Sequence, residues 1–216
     1  MALVDSVGFD LKQIKDPPNK SKSRIVLRYT GNIFLILFFS AVIFTTINFP
    51  AYFLIYRYRM NPQSVAHASP APETPVKQLG DNTLIISKIG VSAPVNWDTS
   101  SADVMSVLTD RLAHLAGSSK PGEGKNVFIT GHSSNYWWRD GSLNTVFALL
   151  SELKEGDEII LTHQGKIFRY KVSEIQEVTP KQTRDYFFSD EEKLTLMTCV
   201  PVGTNLHRLL VVAKPI

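Results

Sequence analysis

From Tyr29 to Tyr56 the chain carries no charged side chain and is dominated by Ile, Leu and Phe. That run exceeds the roughly 20 apolar residues needed to cross a bilayer, so whatever precedes it and whatever follows it are expected on opposite sides of a membrane. A soluble core helix rarely stays apolar on every face over such a length. The run is also longer than the about 7 to 15 apolar residues of a secretory signal, and the small-residue stretch Ala66-His-Ala68 lies beyond Arg57 and Arg59. The sequence therefore predicts an uncleaved anchoring helix over residues 31–56, with Asn48 and Pro50 marking a kink or an early exit into the interface. Lys12, Lys15, Lys20, Lys22, Arg24 and Arg28 outnumber the Arg57 and Arg59 of the other flank, which keeps a mobile tail over residues 1–30 in the cytoplasm and sends the rest outward. Tyr52, Tyr56 and Tyr58 are expected at the outer interface as an aromatic belt.

Residues 57–80 are rich in Pro and Ala with little large apolar content and read as an extended spacer holding a domain off the membrane. Residues 81–216 read as one mainly β domain. Short β-rich runs cover Thr83 to Ile89, Val91 to Val95 and Asn126 to Thr130. Asp157 to Thr162 and Lys166 to Val178 form a hairpin about Gln164-Gly165, and two further strands surround the single cysteine. That makes seven, and an extended piece at His114 to Ala116 makes eight, enough to close a small barrel. Two short helices are expected, Ser101 to Leu112 behind a serine cap and Asn144 to Leu153 behind an asparagine cap. Residues Val178 to Glu192 read as a loop near the site. A net charge of +3, with its cations gathered near the amino terminus, points to a membrane rather than to nucleic acid.

Cys199 is the only cysteine, so no intrachain disulfide is possible. Lys193 to Thr198 reads as a strand, Pro201 and Gly203 mark a turn, and Leu209 to Ala213 reads as the next strand, which places Cys199 and Arg208 at facing strand ends. A cation favours the thiolate, the nucleophilic form of cysteine. An imidazole must come from elsewhere, and the strongest candidate is His132, delivered where the apolar run Asn126 to Thr130 meets Gly131.

The pattern Thr-Leu-x-Thr-Cys199, then Pro-x-Gly-Thr, then Arg208 followed by Leu-Leu-Val-Val-x-Ala resembles the carboxy-terminal signature of the sortases, and the upstream Gly131-His132 closing a strand matches theirs as well. The resemblance spans roughly Leu84 to Ile216. It implies a sortase-type β-barrel and a cysteine transpeptidase in which Cys199 is the nucleophile, His132 the acid or base and Arg208 the transition-state stabiliser. Implied partners are secreted proteins bearing a carboxy-terminal sorting motif similar to Leu-Pro-x-Thr-Gly, and an amine from a cell-wall precursor or a pilin lysine. The implied location is the cell membrane, single-pass, with the catalytic domain outside. A membrane-tethered cysteine peptidase and an inactive sortase-like scaffold remain as alternatives. Trp97-Asp98 reverses the order of the Asp-Pro-aromatic lid of pilin-polymerising sortases, which disfavours a pilus role.

His114, His163 and His207 lack tight metal-ligand spacing and no second Cys exists, and no acidic cluster argues for calcium, so neither metal nor organic cofactor is expected. Ser133 lacks a nucleophile elbow. Thr198 is a candidate extra donor beside the nucleophile, and His207 is expected on the surface. The aromatic stretch Tyr136-Trp137-Trp138-Arg139 suits a lid on the barrel end and a substrate-binding wall equally well.

Overall fold

The computed structural model describes residues 20–67, 76–136 and 138–216. The first part of the expected tail, up to residue 19, residues 68–75 of the expected spacer, and Trp137 lie outside the described residues. Residues 1–43 and 44–216 form two compact units. Helix α1 (Lys20–Met60) begins in the first and ends in the second. Arg28–Met60 is long and apolar enough to cross a membrane, with a mean hydropathy of 2.1 in its most apolar window. Side chains from Arg28 to Ile43 are exposed, as suits a helix whose neighbour is lipid rather than protein.

The second unit is built on eight strands: β1 (Thr83–Ile86), β2 (Val91–Thr99), β3 (Leu112–Leu115), β4 (Asn126–Thr130), β5 (Glu158–His163), β6 (Lys166–Val178), β7 (Lys193–Val200) and β8 (His207–Pro215). They close into a barrel in the order β1-β2-β3-β4-β7-β8-β6-β5, which removes the sheet edges that an open antiparallel sheet would expose. Pairing is antiparallel except for β2 with β3 and β4 with β7. Successive strand side chains face opposite ways, and the alternation separates two cores. Val127, Ile129, Leu194, Leu196, Leu209, Val211 and Ala213 fill the interior. Phe128, Val178 and Leu210 pack on the outer face with Met197 and Phe187.

The expected β elements are present, the eighth strand and the Gln164-Gly165 hairpin included. The helices differ. Of the stretch Ser101 to Leu112 only α3 (Val104–Val107) is helical, and Leu112 opens β3 instead. Ser100 Oγ bonds the Asp103 carboxylate at 2.6 Å rather than capping a backbone N–H. Of Asn144 to Leu153 only a 3-10 turn at Leu150–Glu152 forms, because Phe147, Leu149, Leu150 and Leu153 are all drawn into the barrel core. The expected loop Val178 to Glu192 contains a short helix, α4 (Thr183–Phe187), whose Tyr186 and Phe187 cover the outer core. A further short helix, α2 (Val76–Leu79), precedes β1.

The end of α1 departs most from expectation. It continues through Pro50 and past Tyr56 to Met60, and from Phe44 onward one stripe of it packs on the barrel. Asn48, Ala51 and Tyr58 are buried, with Leu54 and Ile55 partly buried between them, a three- and four-residue spacing that defines one helical face. Tyr58, expected in an interfacial belt, is 6% exposed within the main core. Arg59 meets Glu152 at 2.8 Å. The first residues of the expected spacer also lie against the domain: Val65 packs on the core and the His67 N–H donates to Ser87 O at 2.8 Å. An extended spacer does not begin at residue 57.

Because Tyr58 is core, Tyr58→Ala in the full chain should cost about 3 kcal/mol, the usual scale for deleting a buried aromatic ring. Tyr56→Ala, which removes a ring that is 60% exposed, should cost less than about 0.5 kcal/mol. Thermal unfolding of the two detergent-solubilised variants checks this, and equal melting temperatures would show that Tyr58 is not a core residue.

Candidate active site

Three adjacent strands bring the sequence candidates together. β7 and β8 pair so that Cys199 stands opposite Arg208, as the Pro201/Gly203 turn implies. β4 runs parallel to β7 with Thr130 opposite Met197. The Gly131 N–H continues that ladder to Met197 O at 3.1 Å, so two residues further on His132 is level with Cys199.

The alternation then fixes the face. Phe128 on β4, Met197 on β7 and Leu210 on β8 all belong to the outer core; Cys199 and Arg208 lie at even steps from Met197 and Leu210, on that same outer face, and His132 follows just beyond the end of β4. All three line one pocket of about 750 Å³, with Thr130, Gly131 and Met197 in its floor and Phe44, Ile47, Asn48, Leu108 and Tyr136 among its other lining residues.

Gly131 makes the junction possible. A Cβ there would come within 2.6 Å of Phe147 Cδ2 and 2.7 Å of Leu112 Cδ2, and both of those side chains are fully packed in the core. The segment leaving β4 can therefore hug the barrel end only with glycine, and the Phe147 N–H bond to His132 O at 2.9 Å holds the next residue. Thr198 is 1% exposed and its hydroxyl donates to Gly131 O at 2.8 Å. The hydroxyl joins the Cys199 strand to the histidine segment and is not free to donate to a ligand in the pocket.

Cys199 is a half-buried free thiol. Arg208 is half-buried, and its Nη1 donates to Asn205 O at 2.9 Å and His207 O at 3.0 Å. Among the described residues, Nε and Nη2 have no hydrogen-bond partner. Burial lowers the His132 pKa below the usual imidazole value, and the Arg139 charge lowers it further; the ring is therefore neutral at neutral pH.

The other histidines stand apart from this pocket. His114 and His163 flank Trp97 with ring centroids 4.9 and 4.2 Å away. The Asp98 N–H donates to His114 Nδ1 at 3.2 Å, and Nε2–H lies 2.9 Å from Ser119 O, an arrangement that needs the neutral ring and agrees with the downward shift that burial gives it. His207 is on the surface, 3.0 Å from Glu177. Ser133 is buried and lines the pocket beside His132. Of the aromatic stretch, Tyr136 and Trp138 stack at 4.8 Å, both exposed, with Tyr136 on the pocket wall.

Lining residues that the sequence did not single out include Phe44 and Ile47 on α1 and Asn205 in the loop before β8. Asn48 is one of several polar side chains in the run, with Asn32, Ser40, Thr45 and Thr46, so its contact with the barrel end is not marked by sequence.

The family model for the sortase domain matches residues 84–216, and the chain belongs to the sortase family. It is 30% identical over 86 residues to sortase A of Bacillus anthracis, a match covering 40% of this chain and 38% of that protein. The fold resembles sortase C1 of Streptococcus agalactiae, with a TM-score of 0.54 and 30% identity over 62% of this chain and 66% of that one. It also resembles sortase C-1 of Actinomyces oris, with a TM-score of 0.53 and 28% identity over 77% of this chain and 98% of that one. The chain thus spans well under half the length of the curated relative and just under two thirds of the first of these structures.

Two outcomes check the geometry without reference to turnover. NMR titration of the His132 ring should give a midpoint below the ordinary histidine value, and Arg139→Gln should move it upward, since one of the two effects opposing protonation is removed. Thr198→Val leaves the buried Gly131 carbonyl without its hydroxyl partner and should cost about 1 to 3 kcal/mol of stability, read as a lowered melting temperature.

Proposed function

We propose that this chain is a membrane-anchored sortase-type cysteine transpeptidase. It cleaves a sorting motif similar to Leu-Pro-x-Thr-Gly near the carboxy terminus of a secreted protein and joins the acyl-threonine to an amine at the cell surface. The observation that carries the reading is the convergence of Cys199, His132 and Arg208, carried at or just beyond the ends of three paired strands, into one pocket. Helix α1 is the membrane anchor, and the excess of cations before it favours a cytoplasmic amino terminus with the barrel outside.

In the first half-reaction the Cys199 sulfur attacks the threonine carbonyl carbon and its proton passes to the neutral His132 ring. The carbon–nitrogen bond to glycine breaks and His132 gives that proton to the departing amine, leaving a thioester. In the second, an acceptor amine attacks the thioester carbonyl, His132 takes a proton from the amine nitrogen, and as the carbon–sulfur bond breaks His132 gives that proton to the sulfur, which restores the thiol and the neutral ring. Each carbonyl oxygen becomes an oxyanion in passing. Arg208, with Nη1 tied to its own loop, offers its remaining donors to that oxygen in a fixed plane. The sequence of steps requires neither metal nor organic cofactor.

The test is incubation of the full chain with a sorting-motif peptide and an amine, followed by mass spectrometry. A thioester on Cys199 and a ligated product are expected, and Cys199→Ala should give neither while melting as wild type does. A hydrolysed product alone would make the protein a peptidase, and an unmodified peptide would make it a scaffold. Losing an oxyanion donor costs on the order of 100- to 1000-fold in turnover, and Arg208→Lys should fall in that range because an ammonium keeps the charge but loses the planar fork. If Lys retains more than about half of the wild-type turnover, Arg208 acts only through its charge on the Cys199 thiolate.

A further inference from the structure

Cys199 and Arg208 sit on strands whose connecting corner, Pro201 to Asn205, is a surface turn, and surface turns move unless something holds them. Here the holder is α1. The Asn48 side chain, 5% exposed, lies over Gly203 so closely that a Cβ on that glycine would fall 2.6 Å from Asn48 Cγ and Oδ1 and 2.7 Å from Nδ2. Gly203 has φ +85, a conformation that side chains other than glycine rarely adopt. One helical turn on, Tyr52 Oη donates to Val202 O at 3.1 Å.

The carboxamide is itself oriented, since Nδ2 donates to Phe44 O at 2.9 Å. Between the two contacts Ala51 is fully buried, and its small side chain lets the helix backbone approach this closely. On the same helical face, Phe44 and Ile47 line the pocket that holds Cys199, His132 and Arg208.

We propose that the turns of α1 from Phe44 to Tyr58 form a fixed side of the catalytic pocket, and that Asn48 is a positioning residue that sets the corner between Cys199 and Arg208. The effect on turnover rests on the transpeptidase reading. The effect on the corner does not, because Cys199 is the chain's only thiol and its reaction with a small alkylating agent reports its surroundings with no substrate present.

The experiment is a double-mutant cycle over Asn48→Ala and Gly203→Ala in the full chain in detergent. It reads kcat and KM of peptide transfer, the rate of Cys199 alkylation by iodoacetamide, and melting temperature. Asn48→Ala should lower kcat on the order of tenfold through a small misplacement of reacting groups, change KM by less than about twofold, and alter the alkylation rate with little change in melting temperature.

Gly203→Ala adds both a backbone strain and a clash with Asn48. The strain is common to both backgrounds, so the cycle isolates the clash. Gly203→Ala should therefore reduce kcat, and perturb alkylation, several-fold less when Asn48 is already Ala. Strictly additive effects on alkylation, or an Asn48→Ala variant altered in melting temperature alone, would overturn the proposal. A wild-type chain that forms no thioester, together with non-additive alkylation, would leave the positioning contact standing and remove the transpeptidase reading instead.

Discussion

The strand alternation on β4, β7 and β8 is the constraint from which the site follows. His132 and Cys199 are 67 residues apart, 199 minus 132, and the same offset runs along the whole parallel pairing from Asn126 with Lys193 to Thr130 with Met197. A shift of one residue in that register would turn Cys199 toward the barrel interior or move His132 off its level. The register is held by features on both faces. Inside, Val127 and Ile129 interleave with Leu194 and Leu196. Outside, Asn126 Oδ1 accepts from the Thr195 hydroxyl at 2.9 Å and Asn126 Nδ2 donates to Tyr186 O at 2.7 Å. Beyond the ladder's end, in phase with the inner residues Leu194 and Leu196, Thr198 ties to Gly131 O. Core packing thus specifies which groups meet in the pocket.

The pairing of Cys199 with Arg208 was legible because it is local. A turn rich in Pro and Gly between two β-branched runs predicts an antiparallel pair, and an antiparallel pair predicts facing residues. From the residues alone His132 was legible only as a histidine at the end of a strand, since nothing in one sequence announces which distant strand will lie beside it; the resemblance of Gly131-His132 to the sortases supplied the link to Cys199. Helical spacing misled at Val104, Val107, Leu108 and Leu112. That spacing is satisfied by a single turn of helix followed by a strand as readily as by three turns, and the pairing of Leu112 with Val95 decided the matter. The same holds for Phe147, Leu150 and Leu153, where burial in the core outweighed local preference.

The docked end of α1 was hidden for a different reason. A helix reveals its packed face through contrast between apolar and polar sides, and a run that is apolar all round has no such contrast. Tyr58 in the core and Tyr56 in the open are the same residue type two positions apart. Small and polar residues such as Asn48 and Ala51 mark protein contacts in a lipid-facing helix, but Gly31, Asn32, Ser40 and Ala41 of the same run are exposed, so composition alone does not pick out the docked end.

That docking extends the folded unit beyond the barrel. A chain trimmed to the family match at Leu84 keeps all of the barrel strands but the first residue of β1, yet it removes Tyr58 from the core, Asn48 and Tyr52 from the Val202–Gly203 corner, and Phe44 and Ile47 from the pocket. The first loss bears on stability, and the other two bear on how tightly Cys199 and Arg208 are held and on what the pocket presents to a substrate. A barrel can close without the helix because its backbone hydrogen bonds are made between its own strands. The pocket on its outer face is not complete without it, so the boundary drawn by strand pairing and the boundary drawn by the pocket's lining differ by that docked helical segment.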